Sequence, residues 1–398
     1  MSLDLTQVAA QVIAMIAGLR DRREERQRRL QFALDTLGDK TIDLEKLKKK
    51  IAASRTTWLV AELVEGLDNH YPATLSPADF TVIGSDGSHI DVDRHHSTRC
   101  YLINLGSAMI TYGNRPDAIL SNSPRLYSSE DELVISPPDG GREQVIEGTI
   151  LGIKRSVEEC RNLIDLAVDL PAASDCLALL DGTLILWGLE AYPEFVAEEL
   201  LVDGLFACLD RMKQLNADRQ LALASYISFP RSTDVVNVLR VAVCPHDVVD
   251  SDRLCRNCTS RECDQVAGVR DRDMFKELLE NGERSALFIS SSKIVKERYG
   301  EHSVHFFYLR VDDEIARIEI PQWVAENSVL LNLTHSLVLD QCRRGQGYPV
   351  ALSEAHEQAV VTGADRENFW ELVESSMITE HLPSPGSAKS FSKRTRWV

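Results

Sequence analysis

The sequence predicts an α/β protein with a helical extension at its N-terminus. From Phe80 onward, short apolar segments typical of strands alternate with longer segments of helical spacing. Before that point, the apolar residues recur at helical intervals only. The composition, with 44% hydrophobic and 26% charged residues, is that of an ordinary globular protein and excludes a wholly disordered or fibrous chain.

Three parts follow from this pattern. Residues 1–75 form a helical arm, with helices expected over Leu5–Leu37 and Leu44–Leu67. Residues 76–375 form the α/β domain, and residues 376–398 form a flexible basic tail. A long two-faced helix at a terminus suits self-association, so we expect a homodimer.

Within the α/β domain, the apolar runs Phe80–Ser88 and Cys176–Trp187 predict two strands, and Gly141–Leu170 predicts a long helix between them. A further strand is expected over Leu221–Ser228, and a late helix over Glu354–Val361. This order indicates a sheet flanked by helices.

The charge and the cysteines limit the possible partners and surroundings. With 44 basic and 61 acidic residues, the net charge is −17, which argues against a general nucleic-acid coat but allows a local site where metal ions supply positive charge. No apolar run reaches the roughly 18 residues that a membrane span needs. Most of the nine cysteines are scattered singly, so we expect a reduced cytoplasmic protein with no membrane segment.

Two similar segments contain the first candidate site residues. Ser85-Asp86-Gly87-Ser88 and Leu180-Asp181-Gly182-Thr183 each have an aspartate where an apolar strand is expected to end. Asp-Gly between apolar runs is also a strong hairpin signal, and for either segment alone a turn is the better interpretation. Together they favour a carboxylate site, because ligand and metal sites gather at strand ends in α/β sheets and carboxylates suit Mg²⁺ or Mn²⁺.

The predicted helix before Asp181 offers a third carboxylate. Glu159 lies roughly 100° from the centre of the apolar stripe, whereas Glu158 points nearly opposite, toward solvent. Glu159 is therefore the better candidate, although an ordinary boundary glutamate fits the pattern equally well.

Two further candidates lie near predicted element ends. We expect Ser353 to cap a helix that begins at Glu354, which places His356 in the first turn and favours a neutral imidazole there. A structural hydrogen-bonding role explains such a histidine as well. Tyr226 lies at the end of a predicted strand, where most tyrosines simply pack.

Taken together, these segments resemble the NurA family of nucleases. The resemblance extends from about Phe80 to Phe369 and also includes Tyr226-Ile227-Ser228-Phe229-Pro230-Arg231, Gly347-Tyr348-Pro349 and Glu354-Ala355-His356. It implies an RNase H-like mixed sheet flanked by helices. It also implies a metal-dependent single-strand endonuclease and 5′-to-3′ exonuclease of DNA end resection and repair, which works with a HerA-type hexameric ATPase.

The resemblance carries over to particular positions. It implies that Asp86, Glu159, Asp181 and His356 hold one or two Mn²⁺ or Mg²⁺ ions and that Tyr226 orients the scissile phosphate or the attacking water. Glu159 matches only by its place on the helix, so Glu158 stays open. A catalytically silent subunit that docks on a DNA translocase, and a hydrolase of small phosphoesters, are the alternative functions.

Residues 244–265, the cysteine segment, contain a second group of candidate ligands. Cys244, Cys255, Cys258 and Cys263 lie in a polar loop, and a Cys-x₂-Cys turn suits thiolate ligation of Zn²⁺ or an iron–sulfur cluster. The spacing matches no standard zinc finger, so a loop of free thiols is the alternative.

Overall fold

The computed structural model of the chain describes residues 4–93, 98–172 and 174–382. Its α-helices are α1 (Leu5–Asp21), α2 (Arg23–Leu37), α3 (Leu44–Ala53), α4 (Thr149–Val168), α5 (Glu194–Ala197), α6 (Ala207–Leu215), α7 (Asp234–Ala242), α8 (Asp271–Leu278), α9 (Gln322–Ala325), α10 (Ser328–Arg344), α11 (Val350–Ala359) and α12 (Gly363–Thr379). Its strands are β1 (Glu62–Leu63), β2 (His70–Tyr71), β3 (Phe80–Ile90), β4 (Tyr101–Tyr112), β5 (Asp117–Tyr127), β6 (Val134–Ile135), β7 (Gln144–Val145), β8 (Asp175–Asp181), β9 (Gln220–Ile227), β10 (Arg284–Ser285), β11 (Phe288–Ile289), β12 (Val304–Val311) and β13 (Glu314–Pro321).

Short 3₁₀ and π segments complete the backbone. The 3₁₀ turns are Glu130–Glu132, Leu189–Ala191, Cys255–Asn257, Glu262–Val266 and Gly300–His302, and the π segments are Glu198–Phe206 and Val295–Tyr299. No helix in the described ranges is long and apolar enough to cross a membrane.

The chain divides into two compact units. The first comprises the residues up to Ala73, Ser228–Glu297 and Ser303–Ile318, and the second comprises Thr74–Ile227, Arg298–His302 and the residues from Glu319 on. The domain boundaries expected from the sequence stay a prediction. The part of the basic tail from position 383 on lies outside the described residues.

The first unit contains α1–α3, α7 and α8. Helices α2, α3, α7 and α8 pack around an apolar core to which Leu47, Val238, Phe275 and Phe288 contribute, whereas most apolar side chains of α1 are exposed. The prediction of a helix over Leu44–Leu67 was wrong, because α3 ends at Ala53 and the chain then forms irregular structure and β1. The Ser54 hydroxyl donates to the Lys50 carbonyl, and β-branched threonines follow, which together end the helix. The predicted helix Leu5–Leu37 is divided into α1 and α2 at Arg22.

The second unit contains a mixed sheet in the order β9-β8-β3-β4-β5. The pairs β3–β4 and β4–β5 are antiparallel, whereas β3–β8 and β8–β9 are parallel. Three antiparallel strands followed by two parallel strands at one side give the RNase H-like arrangement, which confirms the predicted fold class.

Helices cover both faces of this sheet. On one face, the α4 residue Asn162 donates to the hydroxyls of Ser85 and Ser107. On the other face, the backbone of α11 lies directly against Gly84 of β3, where a Cβ atom would be 2.5 Å from the Ala351 carbonyl oxygen. Gly106 of β4 would likewise collide with the Ala355 carbonyl. Helix α11 therefore lies closer to the sheet than side chains at these positions would allow.

Several predicted boundaries in this unit were wrong. Strand β8 ends at Asp181 rather than Trp187, because Gly182, with φ of 97°, turns the chain away from the sheet. Helix α4 begins at Thr149 rather than Gly141, because the short strand β7 occupies the preceding residues. Strand β3 does not end at Asp86 but continues to Ile90, because β4 pairs with it along its whole length. The hairpin interpretation of Asp86-Gly87 is therefore also wrong.

Candidate active site

Sheet register aligns three of the predicted site residues in one row. The last parallel pair between β3 and β8 joins Ser85 to Leu180, so the next positions along the two strands are Asp86 and Asp181. Asp181 in turn pairs with Tyr226 of β9. Because paired residues of parallel strands project to the same face, Asp86, Asp181 and Tyr226 share the face covered by α11. The two aspartates are 95 positions apart in the sequence, yet they lie on neighbouring strands of the sheet.

His356 approaches this row from α11. Its Nδ1 lies 2.7 Å from Oδ2 of Asp86, and its side chain is 59% exposed. The expected helix start at Glu354 was wrong: Pro349 occupies the N-cap position and α11 begins at Val350. Ser353 is therefore not the cap, and His356 lies in the last turn, near the negative end of the helix dipole.

Glu159 reaches the row from the opposite face, through the gap left by Gly87. A Cβ atom at position 87 would be 2.7 Å from Glu159 Oε1, so this approach requires glycine. Glu159 is only 4% exposed. The neighbouring Glu158 pairs instead with Arg161 at 2.9 Å. Of the two glutamates, it is Glu159 that lies beside the aspartates. We refer to Asp86, Glu159 and Asp181 as the carboxylate site.

Burial and neighbouring charge disfavour the ionised forms of Glu159 and Asp181. Burial raises the pKa of Glu159 to about 8, with the charges of Asp86 and Asp181 adding to the effect and Arg155 opposing it. Partial removal from water and the charge of Asp86 also raise the pKa of Asp181. The Nε of Arg155 is 3.0 Å from Oε1 of Glu159, but neither atom makes a hydrogen bond. A buried carboxylate oxygen is thus left without a hydrogen-bond donor.

Tyr348 and Arg155 are two site residues that sequence reasoning missed. The Tyr348 hydroxyl hydrogen-bonds to Asp181 and, as a donor, lowers the pKa of that carboxyl. The ring of Tyr348 packs edge-on against Tyr226, with centroids 5.4 Å apart. Tyr226 itself is completely buried, and its hydroxyl lies 3.4 Å from the Gly347 carbonyl oxygen. The Gly347-Tyr348-Pro349 motif before α11 was the available signal for Tyr348.

A cleft of about 330 Å³ opens beside the carboxylate site. Arg155 and Glu159 line it from α4, and the segment from Asp181 to Trp187 lines it from beyond the end of β8. The Trp187 side chain is 44% exposed. The cleft therefore combines carboxylates, a guanidinium and an accessible aromatic ring.

The residue types of the site suit a hard divalent cation. Three carboxylates and one imidazole are a donor set for Mn²⁺ or Mg²⁺, and the orphaned Glu159 oxygen is an available ligand. As the side chains lie, no group of three or more His, Cys, Asp or Glu residues in the described ranges converges closely enough to hold an ion. His356 is engaged with Asp86, and Tyr348 with Asp181.

The cysteine segment lies in the first unit and forms a separate group. Cys244, Cys255, Cys258 and Cys263 line one cavity of about 280 Å³, and no disulfide joins them. Hydrogen bonds from the Arg261 backbone and from the side chains of Ser260 and His246 lower the pKa of the Cys258 thiol to about 7. The sequence-based expectation that these cysteines bind a metal stays a prediction.

The comparisons with known proteins agree with this fold. The sequence profile of the NurA domain matches residues 80–361. The chain belongs to the NurA family. The matched range includes all five residues of the predicted active site, from Asp86 on β3 to His356 on α11.

A solved NurA structure shares the fold. The crystal structure of the NurA nuclease from Sulfolobus solfataricus matches with a TM-score of 0.50 and 11% sequence identity, over 96% of this chain and 98% of that chain. The structure of Prototype Foamy Virus protease–reverse transcriptase also matches, with 12% identity over 38% of this chain and 19% of that chain. Its TM-score of 0.20 is too low to indicate a shared fold. No curated protein matches the sequence.

Proposed function

We propose that this NurA-family chain is a metal-dependent DNA nuclease that hydrolyses phosphodiester bonds at the carboxylate site. The observation that carries the proposal is the in-register placement of Asp86 and Asp181, with the buried Glu159 beside both. The charge of Asp86 helps to raise the pKa of both Glu159 and Asp181, and a bound cation would relieve this repulsion. The name of the Sulfolobus solfataricus protein, a nuclease of the same fold, supports this function.

The cation would be held by Asp86, Glu159 and Asp181, with His356 as a further ligand or as a proton carrier. When bound, Mn²⁺ or Mg²⁺ activates water and stabilises the negative oxygens of the phosphodiester. Mn²⁺ accepts imidazole more readily than Mg²⁺ does, so a ligating His356 favours Mn²⁺.

The protein residues have separate roles around that site. If Nδ1 of His356 donates to Asp86, its Nε2 is an acceptor that takes a proton from the attacking water. Tyr348 holds Asp181 through its hydroxyl, and Tyr226 positions Tyr348 by ring packing. Arg155 contributes positive charge to the cleft, where it offsets part of the charge of a DNA phosphate.

Trp187 supports single-stranded DNA as the substrate. An accessible aromatic ring on a cleft provides a stacking surface for an unpaired base, and such stacking does not depend on sequence. With a net charge of −17, the chain has little general attraction for duplex DNA. We therefore propose single-stranded DNA as the substrate. Membership of the NurA family leads us to propose single-strand endonuclease and 5′-to-3′ exonuclease activity, a homodimer, and a HerA-type ATPase as the partner in DNA end resection.

The test is a cleavage assay with the purified chain and labelled single- and double-stranded oligonucleotides, with Mn²⁺, with Mg²⁺ or with EDTA. We expect cleavage of single strands with Mn²⁺ and none with EDTA. An absence of metal-stimulated cleavage would favour a silent docking subunit, and turnover of small phosphoesters without DNA cleavage would favour a different hydrolase. Adding a HerA-type ATPase tests the partner, and 5′- against 3′-labelled strands test the polarity.

A further inference from the structure

The cysteine segment has almost no regular structure of its own. Between the end of α7 and the start of α8, the backbone forms only the 3₁₀ turns Cys255–Asn257 and Glu262–Val266. Its contacts with the preceding chain are a few hydrogen bonds, among them those of the Arg55 backbone with Val249 and Ser251, and Val249 and Val266 join the apolar core of the unit. A loop of this length inside a compact unit usually has another source of order.

Its four cysteines differ from the other five in the chain. Cys100, Cys160, Cys176, Cys208 and Cys342 are all buried in the second unit, as small apolar side chains usually are. Three of the four in the cysteine segment are partly exposed instead, and all four border the same cavity.

Polar side chains also surround that cavity. Arg240, His246, Glu262 and Asp264 line it together with the thiols. Trp58, Pro245 and Val249 also line it, but apolar packing alone does not call for four thiols around one cavity. The combination of thiols, one imidazole and acidic groups is instead the chemistry of a metal site.

We propose that Cys244, Cys255, Cys258 and Cys263 bind one structural Zn²⁺ ion. A hydrogen bond from the Cys258 N–H to the Cys255 carbonyl closes the Cys-x₂-Cys turn, so that one tight turn provides two of the thiols. Cys263 comes from the second 3₁₀ turn and Cys244 from just beyond α7, which supplies four ligands from three short pieces of chain. Four thiolates complete the tetrahedral shell of zinc and leave no open position, so the ion orders the segment and performs no catalysis.

The described thiols line the cavity wall without converging on one point. The cavity of about 280 Å³ leaves room for one ion, and binding requires the thiols to turn toward it. His246 hydrogen-bonds to Cys258 and acts as the outer partner that orients this ligand. A single ion suits this small polar site better than an iron–sulfur cluster, because three of its thiols are open to solvent.

Metal analysis of the full-length chain, purified under reducing conditions without chelator, tests the proposal. We expect one zinc per chain in the wild type and a loss of most of it in Cys258→Ser, whereas the control Cys100→Ala, in the other unit, keeps it. Cobalt substitution of the wild type should give the visible absorption of tetrahedral thiolate ligation, which decides the matter even if a variant fails to fold. Zinc-free wild type, full zinc in Cys258→Ser, or iron in place of zinc would each overturn the proposal.

Limited trypsin digestion gives a readout that is independent of DNA cleavage. The exposed residues Arg253, Arg256 and Arg261 lie inside the cysteine segment. Stripping zinc with a thiol reagent and chelator should make cleavage there at least about tenfold faster, since an unligated loop opens more often. Restoring the thiols and adding Zn²⁺, but not Mg²⁺, should reverse the effect. Equal cleavage rates with and without zinc would contradict an ordering role.

Discussion

The carboxylate site and the cysteine segment both gather metal-ligating residue types, but different parts of the backbone hold them. Asp86 and Asp181 are fixed by the register of two hydrogen-bonded parallel strands, and His356 by a helix that lies directly on the sheet. The four cysteines lie on two 3₁₀ turns and irregular loop, which a few hydrogen bonds tie to the preceding chain. From this difference we expect that the backbone of the first site keeps its arrangement without an ion, whereas the proposed zinc site needs its ion for order.

The largest expected effect is the loss of activity without loss of the fold. Asp181→Asn removes a charged ligand at the end of β8, so we expect DNA cleavage to fall more than about 1,000-fold, or roughly 4 kcal/mol. The melting temperature should stay the same or rise, because one repelling charge is removed. The matched control is Asp175→Asn at the other end of the same strand, which should cleave normally. If Asp181→Asn unfolded, the carboxylate site would depend on more than strand pairing for its order, and the contrast with the cysteine segment would fail.

Gly87→Ala tests the close approach of Glu159 to β3. The new Cβ would lie 2.7 Å from Glu159 Oε1 and 3.0 Å from Arg155 Cγ, so we expect a loss of about 1–3 kcal/mol in the free energy of unfolding. The control is Gly152→Ala on α4, where no atom lies within 4 Å of the new Cβ and the helix should gain about 0.5–1 kcal/mol. Urea denaturation measures both. If Gly87→Ala were as stable as the wild type, Glu159 would not be held against β3.

Tyr348→Phe removes one hydroxyl and tests whether that hydroxyl positions Asp181. Asp181 loses the hydrogen bond that orients it, so we expect a fall in kcat of roughly tenfold to a hundredfold. Tyr226→Phe removes only a hydroxyl that faces the Gly347 carbonyl and should cost less. Steady-state kinetics on a single-stranded oligonucleotide compare the two, and a larger loss in Tyr226→Phe would assign the direct role to Tyr226.

The remaining expected effect is on the pH dependence of stability in metal-free protein. The folded chain keeps the proton of Glu159 up to about pH 8, whereas the unfolded chain loses it near its ordinary pKa of 4.5. The folded state therefore binds more protons between these values, and stability falls as the pH rises through this range. Glu159→Gln should flatten that fall, and Glu158→Gln should not. Thermal melts from about pH 5 to about pH 8 measure it, and identical slopes in all three proteins would refute the burial of a protonated Glu159.

Much of this second unit could be predicted from sequence, because apolar strands and amphipathic helices have strong periodicities. The repeated Asp-Gly-Ser/Thr segments predicted that Asp86 and Asp181 matter, and helical phase favoured Glu159 over Glu158. The predicted ends of strands and helices were wrong where tertiary contacts determine them. For example, pairing with β4 extends β3 past Asp86. The start of α11 was predictable after all, because proline is favoured at the beginning of a helix and Pro349 is at the N-cap.

Side-chain partners were harder to predict than elements. Arg155 lies four residues before Glu159, a spacing at which helical side chains meet, but periodicity alone does not show that the pair is buried. Tyr348 and Asp181 are 167 positions apart, and only the folded sheet brings them together. Sequence placed the four cysteines in one loop, and their common cavity became visible only in three dimensions.

The glycine contacts beneath α11 have a mechanical consequence. Because these two positions have no side chain, the α11 backbone rests on the strands themselves. A side chain at either position would lift the helix and carry the His356 ring away from Asp86. The two glycines therefore set the depth at which the histidine lies over β3.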